Sequence, residues 1–133
     1  MKHFFLLLLA LIAVARGWSQ CEESLRIAEK TFGTNFIAEP HYVQGMIAQG
    51  DSLSFESLWL ANNTYRIATS ATDKQIVNIT VFDKKNNILF NGSEFNNPSD
   101  WDFFVEYSME VRCVIRCPLP EPVCVTVLTG FKK

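Results

Sequence analysis

Four cysteines, a single histidine beyond position 3, fourteen carboxylates and a surplus of aromatic rings are the side chains of this 133-residue chain with chemistry to offer. Cys113 and Cys117 sit in a segment where Met109, Val111, Cys113, Ile115 and Cys117 alternate with Glu110, Arg112 and Arg116, a strand pattern broken only by Val114. Four residues of strand separate two Cα atoms by about 13 Å, whereas a disulfide spans about 4.4–6.8 Å, so these two cysteines do not pair with each other. In an oxidising compartment the four cysteines read as two bridges. Cys117 with Cys124, closing the turn Pro118–Pro122, and Cys21 with Cys113, pinning the N-terminal segment to the sheet, is the favoured pairing. Cys21 with Cys117 and Cys113 with Cys124 stays open. Zinc is the rival use of the Cys-x3-Cys-x6-Cys spacing, but strand geometry holds Cys113 and Cys117 too far apart to share a tetrahedral ion with bonds of about 2.3 Å.

The remaining candidates for catalysis are sparse. His41 stands between Pro40 and Tyr42 with no Gly-x-Ser-x-Gly elbow in the chain to supply a nucleophile, so it reads as an edge-strand or surface histidine. No glycine loop cradles a phosphate. Asp100 and Asp102 flank Trp101 and, with Asp73 or Asp83, are weak calcium candidates; the glycine and ligand spacing of a dedicated calcium loop is missing, and solvated loop acids are the plainer reading. No cofactor is expected, and an enzyme is the least supported class.

Aromatic residues offer more. In Trp101–Tyr107, alternation puts Trp101, Phe103, Val105 and Tyr107 on one face and leaves Phe104 on the other, between Asp102 and Glu106. In Phe55–Leu60 both faces are partly apolar, with Trp59 on one of them. Burial of these rings under a helix is the favoured reading; because an exposed ring beside carboxylates stacks on sugars, Phe104 with Trp59 is the candidate ligand platform. Arg66, between Tyr65 and Ile67, is expected either to find a carboxylate within the fold or to clamp a ligand's carboxylate.

These residues need a scaffold and a compartment. Lys2 and His3 precede eleven unbroken apolar residues, Phe4 to Val14, followed by small residues at Ala15, Gly17 and Ser19. A span needs about 20 apolar residues, so this run is a signal peptide ending near Ser19. Gln20 before Cys21 is too large for a lipoprotein site. The mature chain, residues 20–133, is expected to be one domain, secreted or periplasmic, with no membrane insertion. Without Lys2 and Arg16 it has 10 basic and 14 acidic residues, a net charge of −4 that excludes nucleic acid as a partner. Leu25, Ala28 and Phe32 line one face of a short helix over Glu22–Phe32, stopped by Gly33. Strands are expected at His41–Ile47, Ser52–Leu60, Thr64–Ser70, Ile76–Phe82, Ile88–Phe90, Trp101–Tyr107, Met109–Arg116 and Val123–Gly130, separated by Asn-, Asp-, Gly- and Pro-rich turns. About eight antiparallel strands and one short N-terminal helix make an all-β, jelly-roll-like sandwich.

Thr64–Ala68, the hairpin Val81–Phe90 and Trp101–Val105 together resemble the small jelly-roll sandwiches of exported bacterial proteins of Bacteroidetes type, in particular the pre-peptidase C-terminal domain. The resemblance covers Gln49 to Phe131. It implies an appendage that assists secretion, folding or substrate attachment, and it assigns no active residue. The sequons at Asn62, Asn78 and Asn91 matter only if the source secretes through an endoplasmic reticulum, and Asp51-Ser52-Leu53 resembles a short O-glycosylation acceptor. The expected role is a non-enzymatic module that binds a glycan or a protein in the envelope or outside it. The alternative is a structural accessory to a co-exported partner.

Overall fold

Helical periodicity before Gly33 and strand alternation after it divide the chain into two kinds of element. The computed structural model describes residues 1–71 and 77–133, apart from the side chains of 11–19. Helix α1 runs Lys2–Phe32. The short helix expected at Glu22–Phe32 is therefore the C-terminal part of a longer one, and the apolar leader is its N-terminal part. The glycine stop holds: Gly33 takes φ 78° and donates its N–H to the Glu29 carbonyl at 3.1 Å.

Nine strands follow, β1 (Phe36–Ala38), β2 (Val43–Ile47), β3 (Ser52–Trp59), β4 (Asn63–Ala71), β5 (Asn78–Asp83), β6 (Ile88–Asn91), β7 (Asp100–Val105), β8 (Met109–Arg116) and β9 (Val123–Lys132). β2 to β9 are the eight expected strands. Ile76, the expected start of one of them, lies outside the described residues. β1 and a 3-10 turn at Gly92–Phe95 are additions.

The pairings nest. β2 pairs with β9, β3 with β8, β4 with β7 and β5 with β6, all antiparallel, so β2–β5 run out and β6–β9 run back as one long hairpin. The hairpin is rolled so that β4 also pairs with β9 and β5 with β8. The result is two sheets, β1/β2-β9-β4-β7 and β3-β8-β5-β6, the expected jelly-roll sandwich. β1 and β2 share one flank of β9, on Gly130–Lys132 and Val123–Val127 respectively. Residue 130 is glycine for a steric reason: a Cβ there would stand 2.0 Å from the Ile37 carbonyl oxygen.

Between the sheets lie Ile67, Ile79, Val81, Ile115, Val125 and Val127, each almost fully buried. The outer face of the first sheet is covered by the C-terminal part of α1, where Ala28 and Phe32 pack with Phe36, Ala68 and Leu128. A buried polar cluster adds direction to this contact. Ser24 Oγ lies 2.8 Å from Thr126 Oγ1 and 3.0 Å from the Ser70 carbonyl, and Gln44 Nε2 donates to the Cys21 carbonyl at 2.9 Å.

The disulfide joins Cys21 to Cys124 at the same interface, and Cys113 and Cys117 are free. Both of the pairings left open by the sequence are thus overturned, together with the count of two bridges. The reason is which way each residue faces. Cys113 and Cys117 belong to the core between the sheets, whereas Cys124 alternates with Val123 and Val125 and faces α1. Among the described residues no helix is long and apolar enough to cross a membrane.

Candidate functional site

The two rings considered as a platform lie on different sheets, border one groove and differ sharply in exposure. Trp59 is only 2% exposed; its ring stacks on Tyr65 with centroids 5.2 Å apart and leans on Phe103 at 5.1 Å. Its register partner is Met109, which places it on the core face of β3. It is therefore a core residue, not an exposed stacking surface. Phe104 lies opposite Thr64 on the outer face of β7 and is 66% exposed. It escapes α1, which covers the sheet further over, at Ala68 and Leu128. Tyr107, expected on the inner face with Phe103 and Val105, lies past the end of β7 and is 76% exposed.

These positions converge at one end of the sandwich. Leu60 just past β3, Leu89 in β6, Phe104 in β7 and Tyr107 in the β7–β8 turn are all exposed. A groove of about 380 Å³ runs beside β7, lined by Trp59, Leu89, Phe103, Phe104, Tyr107 and Met109, with Glu106 its one charged residue. Val105, also at the groove, is buried. Tyr65 helps to hold the rim: its hydroxyl accepts from the Leu60 N–H at 2.8 Å. Sequence reasoning found Phe104 by its wrong-facing position in an alternating strand. Leu60, Leu89 and Met109 carried no signal, because only the roll of the hairpin brings their turns and strand ends together.

Arg66 takes the structural option. Its Nε and Nη2 donate to the two oxygens of Asp102 at 2.6 and 2.9 Å, and its Nη1 donates to the Phe32 carbonyl at 3.1 Å. The guanidinium also lies 4.1 Å from the Phe36 ring centroid, and its pKa is raised, first by the hydrogen bonds to Asp102. It ties β4, β7, β1 and the end of α1 together, which leaves no free fork for a ligand carboxylate. Asp100 and Asp102 both face this cation, at 4.0 and 2.6 Å, so the calcium candidates already have their counter-ion. Asp83, the third acid, accepts from the Lys85 and Asn87 N–H groups at 2.8 Å each, and these bonds, with the Asn87 side chain, hold its carboxyl below the usual range. Asp73 lies outside the described residues.

The two free thiols are poor nucleophiles. Both are buried, and burial pushes the Cys113 thiol up to about 12. Because the folded pKa is the higher one, the neutral thiol costs nothing below the unfolded pKa of about 8.5. Stability is lost as pH rises from there towards 12. Ellman's reagent is expected to find no reactive thiol in the native protein and two after denaturation without reductant; a native signal, or none after denaturation, would contradict this arrangement. His41 is exposed ahead of β2. Of the sequon asparagines, Asn62 is exposed in a turn, while Asn78 donates to Asn97 Oδ1 at 2.9 Å and Asn91 Oδ1 accepts from Ser93 Oγ at 2.9 Å.

A second depression, of about 490 Å³, lies on the outer face of the β3–β8–β5 sheet. Its lining is largely polar and charged, with Lys84 pairing with Glu110 at 3.2 Å and Arg112 donating to Asn86 Oδ1 at 3.0 Å. The apolar groove beside β7 is therefore the stronger candidate site.

No protein-family model and no curated protein matches the chain. Among solved structures it is similar to Aeromonas hydrophila PliG, described as a periplasmic lysozyme inhibitor of g-type lysozyme, with a TM-score of 0.55 at 11% identity over 69% of this chain and 85% of that one. At that identity the likeness is one of fold: the chain is a β-sandwich of the architecture that PliG also has.

Proposed function

We propose that this chain is an exported, non-enzymatic β-sandwich that binds another protein through the apolar end of the sandwich. The observation that carries the reading is the cluster of Leu89, Phe104 and Tyr107, which leaves aliphatic and aromatic side chains in water around a groove. The lining mixes rings with Leu89, Val105 and Met109 and has one charged residue, Glu106, and an apolar surface of this kind favours a protein. Export is supported by the leader, whose residues Phe4–Leu9 are exposed and join no core cluster, and by the Cys21–Cys124 bridge. The likeness in fold to PliG, described as an inhibitor, is in keeping with a non-enzymatic role.

PliG has the same architecture and is described as an inhibitor of g-type lysozyme, so a secreted wall-degrading hydrolase is the first partner to test. Titration of a g-type lysozyme with the purified chain is expected to suppress lysis, with a Phe104→Ser/Tyr107→Ser variant about tenfold or more weaker. Unchanged lysis removes that partner. The protein-binding reading itself falls if an oligosaccharide raises the melting temperature of wild type and double variant alike, because binding would then bypass this surface. The accessory role implied by the resemblance to pre-peptidase C-terminal domains uses the same surface, with a co-exported protein as its occupant.

A further inference from the structure

Resting on that reading, we propose that the free edge of β7 takes up an extended, basic and apolar segment of the partner protein as an added strand. β7 is the last strand of its sheet. The Thr69 N–H donates to the Ser99 carbonyl at 2.7 Å, and the register continues through Ile67 with Trp101 and Tyr65 with Phe103. That sets the phase of the ladder: Ser99, Trp101 and Phe103 bond towards β4, and Asp100, Asp102 and Phe104 turn their main-chain N–H and C=O groups outward. Natural edges are blunted by charged side chains, lysine above all, by proline or by a bulge. β7 has no lysine, proline or register shift, and its two charges, Asp100 and Asp102, are turned to Arg66. The other edge at this side of the molecule, β6, does carry an irregularity, opposite Val81 and Phe82.

Two features beside that edge define the occupant. The groove lies alongside β7, so alternate side chains of an added strand enter between Leu89, Phe103 and Tyr107. Charge supplies the second. From Asn86 to Val111 the chain contains Glu94, Asp100, Asp102, Glu106 and Glu110 and no basic residue. Arg66 answers Asp102 and Lys84 answers Glu110, but among the described residues no basic group lies within ion-pair distance of Glu106, at the groove itself. An apolar residue flanked by lysine or arginine fits the groove and this rim.

The probe is the capped peptide Lys-Phe-Lys-Val-Lys, with Glu-Phe-Glu-Val-Glu as its charge-reversed control, added to the whole exported chain. The basic peptide is expected to bind and to slow hydrogen exchange at the Asp100, Asp102 and Phe104 amides about tenfold or more. Phe104→Ser and Glu106→Lys, both at exposed positions, are each expected to weaken it by about tenfold. Equal binding of the acidic peptide, or no binding, overturns the proposal. Binding that depends on Phe104 but leaves the three amides unprotected overturns strand addition and leaves the protein-binding reading standing. Protection of the same amides by the chain alone, rising with its concentration as a dimer sediments, makes a second copy the occupant and also overturns it.

Discussion

Replacing Trp59 by alanine is expected to cost about 4 kcal/mol of stability, enough to lower the melting temperature by more than about 10 °C. The side chain is almost wholly enclosed, stacked on Tyr65 and against Phe103, and its removal leaves a hole that two rings on different strands cannot close without breaking register with their neighbours. Phe103 in turn packs edge-on against Phe90, so the loss propagates into the β6 side of the core. Trp59→Phe is expected to cost about 1–2 kcal/mol, since it keeps a ring in the site and removes an indole N–H that has no acceptor. Phe104→Ser, by contrast, is expected to stay within about 0.5 kcal/mol of wild type. Urea unfolding of the three variants checks the ordering. A Trp59→Ala protein about as stable as Phe104→Ser would contradict the placement of Trp59 in the core.

The second large effect is expected from Cys21→Ser with Cys124→Ser, about 3 kcal/mol, read as a fall in melting temperature that reductant reproduces in the wild type. The bridge joins residues 103 apart in sequence, so it constrains the unfolded chain over almost its whole length. The chain-entropy ceiling for a loop near 100 residues is about 4.7 kcal/mol, and losses in the native state bring the expectation below it. Cys21 is also the N-terminal end of the docked part of α1, and its carbonyl accepts from Gln44. Cutting the bridge therefore loosens the polar cluster of Ser24, Ser70 and Thr126 as well. If reductant left the melting temperature unchanged, the covalent tie between α1 and β9 would not be present in solution.

Which parts of this molecule can be read from its sequence follows from where the side chains face. β7 and β8 were legible because each has one apolar face and a polar or mixed one, a pattern that only a half-buried strand needs. β9 was legible as a strand but its facing was not. Val123, Val125 and Val127 enter the core while Cys124, Thr126 and Leu128 are buried beneath α1, so apolar and small residues occur at both parities. That ambiguity produced the wrong disulfide: nothing local shows that Cys124 faces the helix and Cys113 the interior. β1 left no pattern, since its three residues are fixed by pairing with Phe131 and its neighbours, far away in sequence. Arg66 was legible for the opposite reason, a charge in an apolar strand that had to find a carboxylate, and Asp102 stands directly across from it in register. Trp59 could not be assigned a face, because both faces of β3 are partly apolar, and it was credited with an exposure that the Tyr65 ring removes.

The nested pairing has a consequence for how the molecule comes into being. β1, β2 and β4 are joined in main-chain pairing through β9, the latest strand in chain order, and the outermost pair of the rolled hairpin joins Val43–Ile47 to Val123–Val127. Contact order is accordingly high, and folding belongs to the slow regime of milliseconds to seconds. A chain emerging from a ribosome or threading a translocation channel can form the β4–β7 and β5–β6 ladders early, but its larger sheet stays an open template until Val123–Lys132 has arrived. Cys124 lies in that same strand, so the bridge to Cys21 cannot close until β9, the strand that completes the larger sheet, has begun to arrive.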